Sequence, residues 1–262
     1  ISVCYDPNAN KTAIIFSDDA DSDKMKGSVG TISGTSISFA ATQTLDNANT
    51  RFIDTVFDPD QNQIIIWHQD RYQSDRGDLN VAQIISGNIG VEYVVNGPFG
   101  SGTQAQYCRA VYDTNANKVV LLAIDESVGS TAGRGKAIVG TNSGTGMTFG
   151  SLATFNVTGT NAEEAQGQFG AAFDSTANKI VVAFKDGRDS NVGKAKVGTI
   201  SGTSITFGNS TKFNLGTTTE INAVYDSDTD RTFVTFRDDG DSDKGMVNSG
   251  QVSGTDIFFS GE

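Results

Sequence analysis

Tyr5-Asp6-Pro7-Asn8-Ala9-Asn10-Lys11 returns four times along the chain: as Phe57–Gln63, Tyr112–Lys118, Phe173–Lys179 and Tyr225–Arg231. Each copy opens on an aromatic-Asp pair, and the aspartates Asp6, Asp58, Asp113, Asp174 and Asp226 stand 52, 55, 61 and 52 residues apart. Four positions after each comes Asn10, Asn62, Asn117, Asn178 or Asp230. Twelve positions after each comes a second aspartate: Asp18, Asp70, Asp125, Asp186 or Asp238. Every unit closes on a Gly-rich turn and a strand, at Gly34–Phe39, Gly87–Tyr93, Gly144–Phe149, Gly202–Phe207 and Gly254–Phe259. Internal repetition at this period is the mark of a repeat architecture.

One unit reads as four strands. In the first copy these are Ser2–Tyr5, Thr12–Ser17, Gly27–Ile32 and a strand from Ile37 onward, with polar turns between them. Four short strands in about 50 residues, repeated, is the pattern of propeller blades. The expected fold is therefore all-β, a five-bladed β-propeller forming a single domain over 1–262, with blades near 1–51, 52–106, 107–168, 169–220 and 221–262. A two-sheet sandwich is the alternative, but it gives no reason for a repeated four-strand unit. The third unit departs most, with a longer loop at Glu126–Arg134 and an inserted connector at Thr158–Gln168. The first unit starts in phase with the fifth, and the fifth stops about ten residues before the others hand over. Closure without that connector and a longer array both remain open.

Composition agrees with strands and tight turns. Among 262 residues there are 25 Asp against 6 Glu, with 30 Gly, and Asp and Gly favour turns over helices. The net charge of −12 argues against a nucleic-acid surface, which needs clustered Lys and Arg. No apolar run reaches the roughly 18–20 residues of a membrane-spanning helix, so no membrane insertion is expected. The chain begins with Ile1, without a basic-then-apolar leader, which suggests a processed product or a piece of a longer chain.

The ten repeated aspartates have a structural explanation first, because Asx side chains at turns bond backbone N–H groups. An acid present in every unit is also a poor candidate for a single central catalytic site. The one histidine, His68, excludes Ser-His-Asp, Cys-His and multi-histidine metal sites except through itself. It stands in the column of Phe16, Phe184 and Phe236, beside the one tryptophan, Trp67. Inter-blade packing is the simpler expectation, and an aromatic ligand-binding patch at Trp67 and His68 the functional one. Cys4 and Cys108 fall in non-adjacent units and read as small buried residues rather than a disulfide.

Two loops are acidic: Asp18–Asp23 and Asp238–Asp243. Their alternating Asp19, Asp21, Asp23 and Asp239, Asp241, Asp243 could offer hard oxygen ligands to calcium, although neither has the distal Glu of an EF-hand. Solvated hairpin loops are the simpler account. Glycoside hydrolysis needs two carboxylates about 5–9.5 Å apart. On the first strands only Asp54 qualifies, with Ser2, Arg109, Gly170 and Asn222 in the same column of the other units. A sialidase would also need converging arginines, and the eight present are scattered.

Aligned, the units resemble a repeat of the form Tyr-Asp-x-x-x-Asn-Lys, then Val-Gly-Thr-Ile-Ser-Gly-Thr-Ser-Ile-x-Phe-Gly. Val197–Gly208 carries the second half most fully and Val29–Phe39 nearly so. The chain thereby resembles the repeat modules of marine bacteriophage virion and tail-fibre-like proteins and of long bacterial surface repeat proteins. The resemblance implies a location on a virion or cell surface, with other virion or surface proteins, or host surface glycans, as partners. It supplies no catalytic residue. The expectation is a non-enzymatic structural or interaction module. A glycan-binding lectin, with or without calcium, is the alternative, and a glycoside hydrolase stands behind it.

Overall fold

The computed structural model describes residues 1–100, 102–127, 134–156 and 169–260. The inserted connector read at Thr158–Gln168, and residues 128–133 of the third unit's long loop, lie outside them. The protein is all-β; its helices among the described residues are three single 3₁₀ turns at Asp19–Asp21, Arg71–Gln73 and Asp239–Asp241.

Each repeat folds as an antiparallel meander. The first contains β1 (Ser2–Asp6), β2 (Lys11–Asp18), β3 (Lys24–Ser33) and β4 (Ser36–Phe39). The second contains β5 (Gln43–Asp58), β6 (Gln63–Asp70), β7 (Arg76–Ile85) and β8 (Asn88–Asn96). The third has β9 (Ala105–Asp113), β10 (Lys118–Asp125), β11 (Arg134–Asn142) and β12 (Met147–Phe149), with β13 (Ala153–Asn156) added on the outer part of β11. The fourth has β14 (Phe169–Asp174), β15 (Lys179–Asp186), β16 (Val192–Ser201) and β17 (Ser204–Phe207). The fifth has β18 (Thr211–Asp226), β19 (Arg231–Asp238), β20 (Lys244–Ser253) and β21 (Asp256–Phe259).

Two strands cross the expected unit boundaries. The first half of β5 pairs with β3 of unit 1, and its second half pairs with β6 of unit 2. β18 joins units 4 and 5 in the same way. The described strands therefore form three sheets, of eight, five and eight strands, none of them closed. A residue in the left-handed region marks each handover: Phe52 (φ 51°) in β5 and Glu220 (φ 52°) in β18, with Tyr107 (φ 53°) at the same place in β9. Each lies at a break in strand register, where one extra residue lets the chain bend from one pairing into the next. Bulky side chains tolerate positive φ poorly, so these bends hold about 1–3 kcal/mol of strain each.

The turns follow from the repeated polar residues. Oδ1 of Asp6, Asp58, Asp113 and Asp174 accepts two backbone N–H bonds, from the residues two and three ahead, at 2.8 to 3.1 Å. Asp226 accepts from Asp228 N and Thr229 Oγ1. The following column, Asn10, Asn62, Asn117, Asn178 and Asp230, holds positive φ near 52–56°, which Asn and Asp tolerate best after glycine. Asp18, Asp70, Asp125, Asp186 and Asp238 each accept from the backbone N–H two residues on, at 2.8 to 3.1 Å.

The core lies between the units rather than inside them. Four apolar clusters occupy the four junctions of consecutive units. Along the second strands of units 2, 3 and 4, alternate residues face the preceding and the following unit. In β6, Ile64 and Ile66 pack on unit 1 while Ile65 and Trp67 pack on unit 3. Units 2, 3 and 4 are covered on both faces; units 1 and 5 are covered on one.

Candidate functional site

The residues singled out for chemistry are placed in three different settings. Trp67 is fully buried between units 2 and 3, with its indole N–H donating to Leu122 O at 2.9 Å and its ring 5.1 Å from that of Phe99. His68 is buried on the opposite face of the same strand, its Nε2 2.9 Å from Asn80 Oδ1. Neither presents a surface to a ligand: the pair is interior packing, the simpler of the two expectations, and not an exposed aromatic patch. The reason is strand geometry: both faces of β6 are covered, and a neighbouring pair must point into two separate junctions.

The two acidic loops do not assemble a metal site. Asp21 is ion-paired with Lys24 (2.8 Å) and Lys26 (2.6 Å), and those lysines hold its carboxyl well down, at about 2. Asp241 pairs with Lys244 at 2.8 Å. Arg237 Nε donates to Asp239 at 2.6 Å and Thr219 Oγ1 at 2.9 Å, which holds that carboxyl low as well. Asp23 accepts from Asn49 Nδ2, and both Asp23 and Asp243 serve as left-handed turn residues. Among the described residues no group of three metal-capable side chains converges. Of the six carboxylates expected to hold calcium, Asp21, Asp23, Asp239 and Asp241 are thus engaged by the protein's own cations, a threonine hydroxyl and an asparagine amide.

Asp54, the axial carboxylate, is likewise spoken for. Ser2 Oγ from unit 1 donates to its Oδ1 at 3.2 Å, and Ala110 N from unit 3 donates to its Oδ2 at 2.9 Å. Burial pushes its carboxyl above the usual range, while the Arg109 guanidinium and the hydrogen bonds pull the other way. Arg109 itself donates to Cys108 O and lies 5.8 Å from the centroid of the Phe169 ring of unit 4. The first-strand column thus links units 1 to 4. Cys4 and Cys108 are free and buried; burial drives both thiols up, Cys4 to about 12.

What sequence reasoning missed is a pocket of ≈ 320 Å³ at the junction of units 1 and 2. Ser17, Asp19 and Asp23 line it from unit 1, and Thr50, Arg51 and Phe52 from the handover into unit 2. The bend at Phe52 places this residue at the mouth, with its ring against that of Tyr107, 4.8 Å away between centroids. Thr50 is anchored by its own N–H and hydroxyl on Asp23 O. Arg51 is exposed and makes no ion pair among the described residues. A few convergent polar groups beside an aromatic wall are the ordinary makings of a small-ligand site. The one signal in the sequence was that an Arg-aromatic pair falls six and seven residues before Asp58, where no other unit has one.

No family model and no curated protein matches this sequence. Solved structures do match its fold. The NanB sialidase of Streptococcus pneumoniae aligns with a TM-score of 0.57 at 13% identity, over 86% of this chain and 34% of its own. A protein of unknown function from Dyadobacter fermentans gives 0.56 at 9% identity, over 95% and 74%. The Trypanosoma rangeli sialidase, in complex with the inhibitor DANA, gives 0.52 at 11% identity, over 94% and 44%. This chain thus spans about a third of the length of the pneumococcal enzyme. What the likeness shows is a shared all-β fold.

Proposed function

We propose that the chain is a non-enzymatic glycan-recognition module, its five units arranged as propeller blades about a common axis. The observation that carries the reading is the state of Asp54. Glycosidic cleavage needs an acid and a second carboxylate flanking the bond. Asp54 is instead bound by Ser2 and Ala110, and its column offers Ser2, Arg109, Gly170 and Asn222.

The pocket between units 1 and 2 supports recognition. Asp19 and Asp23 accept from sugar hydroxyls, Arg51 donates to them, and the Phe52 ring meets the apolar face of a pyranose. With a net charge of −12 on the chain, a neutral sugar suits the site better than an acidic one. That two structural neighbours are named as sialidases adds support for glycans as the ligand class. The setting on a virion or cell surface is supported by the repeat's resemblance alone.

The test is a multivalent glycan array with the wild-type chain and the exposed-residue variant Arg51→Ala, each with and without chelator. Binding of neutral glycans that chelator leaves intact and Arg51→Ala weakens by about tenfold is expected, since a lost charge-assisted hydrogen bond is worth roughly 1.5–3 kcal/mol. An empty array would sink the glycan reading. Release of sugar from any bound glycan, abolished by Asp54→Asn, would sink the non-enzymatic one.

A further inference from the structure

One position on the third strands ties a unit to the one before it. Asn80 of β7, opposite Ile66, donates from Nδ2 to Leu45 O at 3.3 Å. Asn248 of β20, opposite Val234, donates in the same way to Phe213 O at 3.0 Å. Both carbonyls belong to a segment laid along the third strand of the preceding unit, on β3 for Leu45 and on β16 for Phe213. In unit 4 the position is Lys196, opposite Val182, and the matching residue of unit 3 is Phe155, laid along β11. Lys196 makes no such tie. It is half-buried, with no hydrogen bond or ion pair among the described residues.

Lys196 instead lines a recess of ≈ 200 Å³ at the junction of units 3 and 4. Phe155 and Phe184, both buried, give the recess its apolar wall, their ring centroids 5.9 Å apart and their planes at 53°. Its polar lining includes Asp186, Arg188 and Ser210. The carboxylates here already have cations of their own. Lys194 Nζ lies 2.7 Å from Asp186 and 2.8 Å from Asp189, and Lys212 Nζ lies 3.0 Å from Asp189. Arg188, which is exposed, and Lys196 have no such partner among the described residues. Two unpaired cations thus line one apolar-walled recess, in a chain whose net charge is −12. Like charges set side by side repel, and an anion between them relieves that repulsion.

We propose that this recess binds a small carboxylate that carries an apolar ring. The carboxylate suits the two cations, because a guanidinium donates to it through a fork and an ammonium adds a point charge. The ring suits Phe155 and Phe184, whose wall a bare inorganic anion leaves unused. At ≈ 200 Å³ the recess is smaller than the roughly 300–1,000 Å³ of pockets for drug-sized ligands, so it takes a single ring. Units 3 and 4 are both interior, each covered on both faces by its neighbours. The site is separate from the pocket between units 1 and 2, and this inference is independent of the glycan reading.

The probe is benzoate, titrated into the intact 262-residue chain and followed by saturation-transfer NMR and calorimetry. Benzamide keeps the ring and loses the charge; sulfate keeps the charge and loses the ring. Saturable one-to-one binding of benzoate is expected, with benzamide and sulfate each weaker by about tenfold or more, as the loss of a charge-assisted hydrogen bond or of a buried ring implies. Lys196→Asn installs the residue that units 2 and 5 carry at this position, so it should keep the fold and weaken benzoate by about tenfold. Arg188→Gln, at an exposed position outside any ion pair among the described residues, should weaken benzoate with no change in Tm. Absence of benzoate binding at millimolar concentration overturns the proposal. Benzamide or sulfate binding as tightly as benzoate overturns it too, as does benzoate binding that ignores both substitutions.

Discussion

Strands β10 and β19 hold the same place in the repeat and live in opposite surroundings. Val119 to Asp125 are buried without interruption, because unit 2 covers one face of β10 and unit 4 the other. In β19 burial alternates: Thr232, Val234 and Phe236 face unit 4 and are covered, while Thr235 is exposed and Phe233 only half-buried. β2, at the other end, alternates too, with Ala13 and Ile15 buried and Ile14 and Phe16 half-exposed. The sequences differ accordingly. β10 reads Val-Val-Leu-Leu-Ala-Ile, a run suited to a strand covered on both faces, whereas β19 reads Thr-Phe-Val-Thr-Phe-Arg. Stability in such an array resides in junctions between neighbours, so an end unit contributes one junction and an interior unit two.

The sharpest way to break this comparison is to cut the same column in both settings. Ile65→Ala, in the filled junction of units 2 and 3, should cost about 2–5 kcal/mol. Phe233→Ala removes a larger side chain from the open face, where the ring is only partly withdrawn from water, and should cost less, about 1–2 kcal/mol. Urea denaturation of both variants decides it; equal losses would mean that unit 5 is covered on both faces in solution.

The turn aspartates give a smaller contrast. Asp113 is buried, and two N–H groups depend on it, so Asp113→Ala should cost about 1–3 kcal/mol. Its counterpart Asp226 is half-buried, and the hydrogen bonds from Thr229 Oγ1 and Asp228 N hold its carboxyl below the usual range. A lowered folded pKa means stability present above the unfolded value, near 4, and lost as pH falls through the folded one. The gap between wild type and Asp226→Ala should therefore be open at pH 6 and narrow as the pH falls below the unfolded value. A gap that widens toward acid would contradict the assigned bonds.

The smallest effect expected is kinetic. Both cysteines are buried with raised thiols, but Cys4 lies in an end unit and Cys108 in an interior one. Disulfide-exchange labelling in native buffer should modify Cys4 first, because local opening of an end unit breaks one junction. Simultaneous labelling would show that the array opens only as a whole.

Much of this was legible in the chain. Asp6, Asn10 and their equivalents act on residues two to four away, and a local hydrogen bond leaves its spacing in the sequence. The strand meander followed from the same turns. The pocket around Arg51 and Phe52 was not legible, because it depends on a bend at one handover and on loops 30 residues apart. At Trp67 and His68 the simpler expectation, packing between units, held, but the two different junctions they enter depend on both faces of β6 being covered. For the acidic loops the simpler reading, hairpin loops, was legible; that Lys24 and Lys26 pair with Asp21 and Lys244 with Asp241 was not.

The sequence by itself determined the five units, their four strands and their aspartate-capped turns, since each rests on contacts within a few residues. Tertiary structure alone decided which junctions are filled. It carries β5 and β18 across unit boundaries and ties Asp54 to two neighbouring units. Those outcomes depend on which unit stands on either side, and a repeat pattern is the same whether or not it has a neighbour.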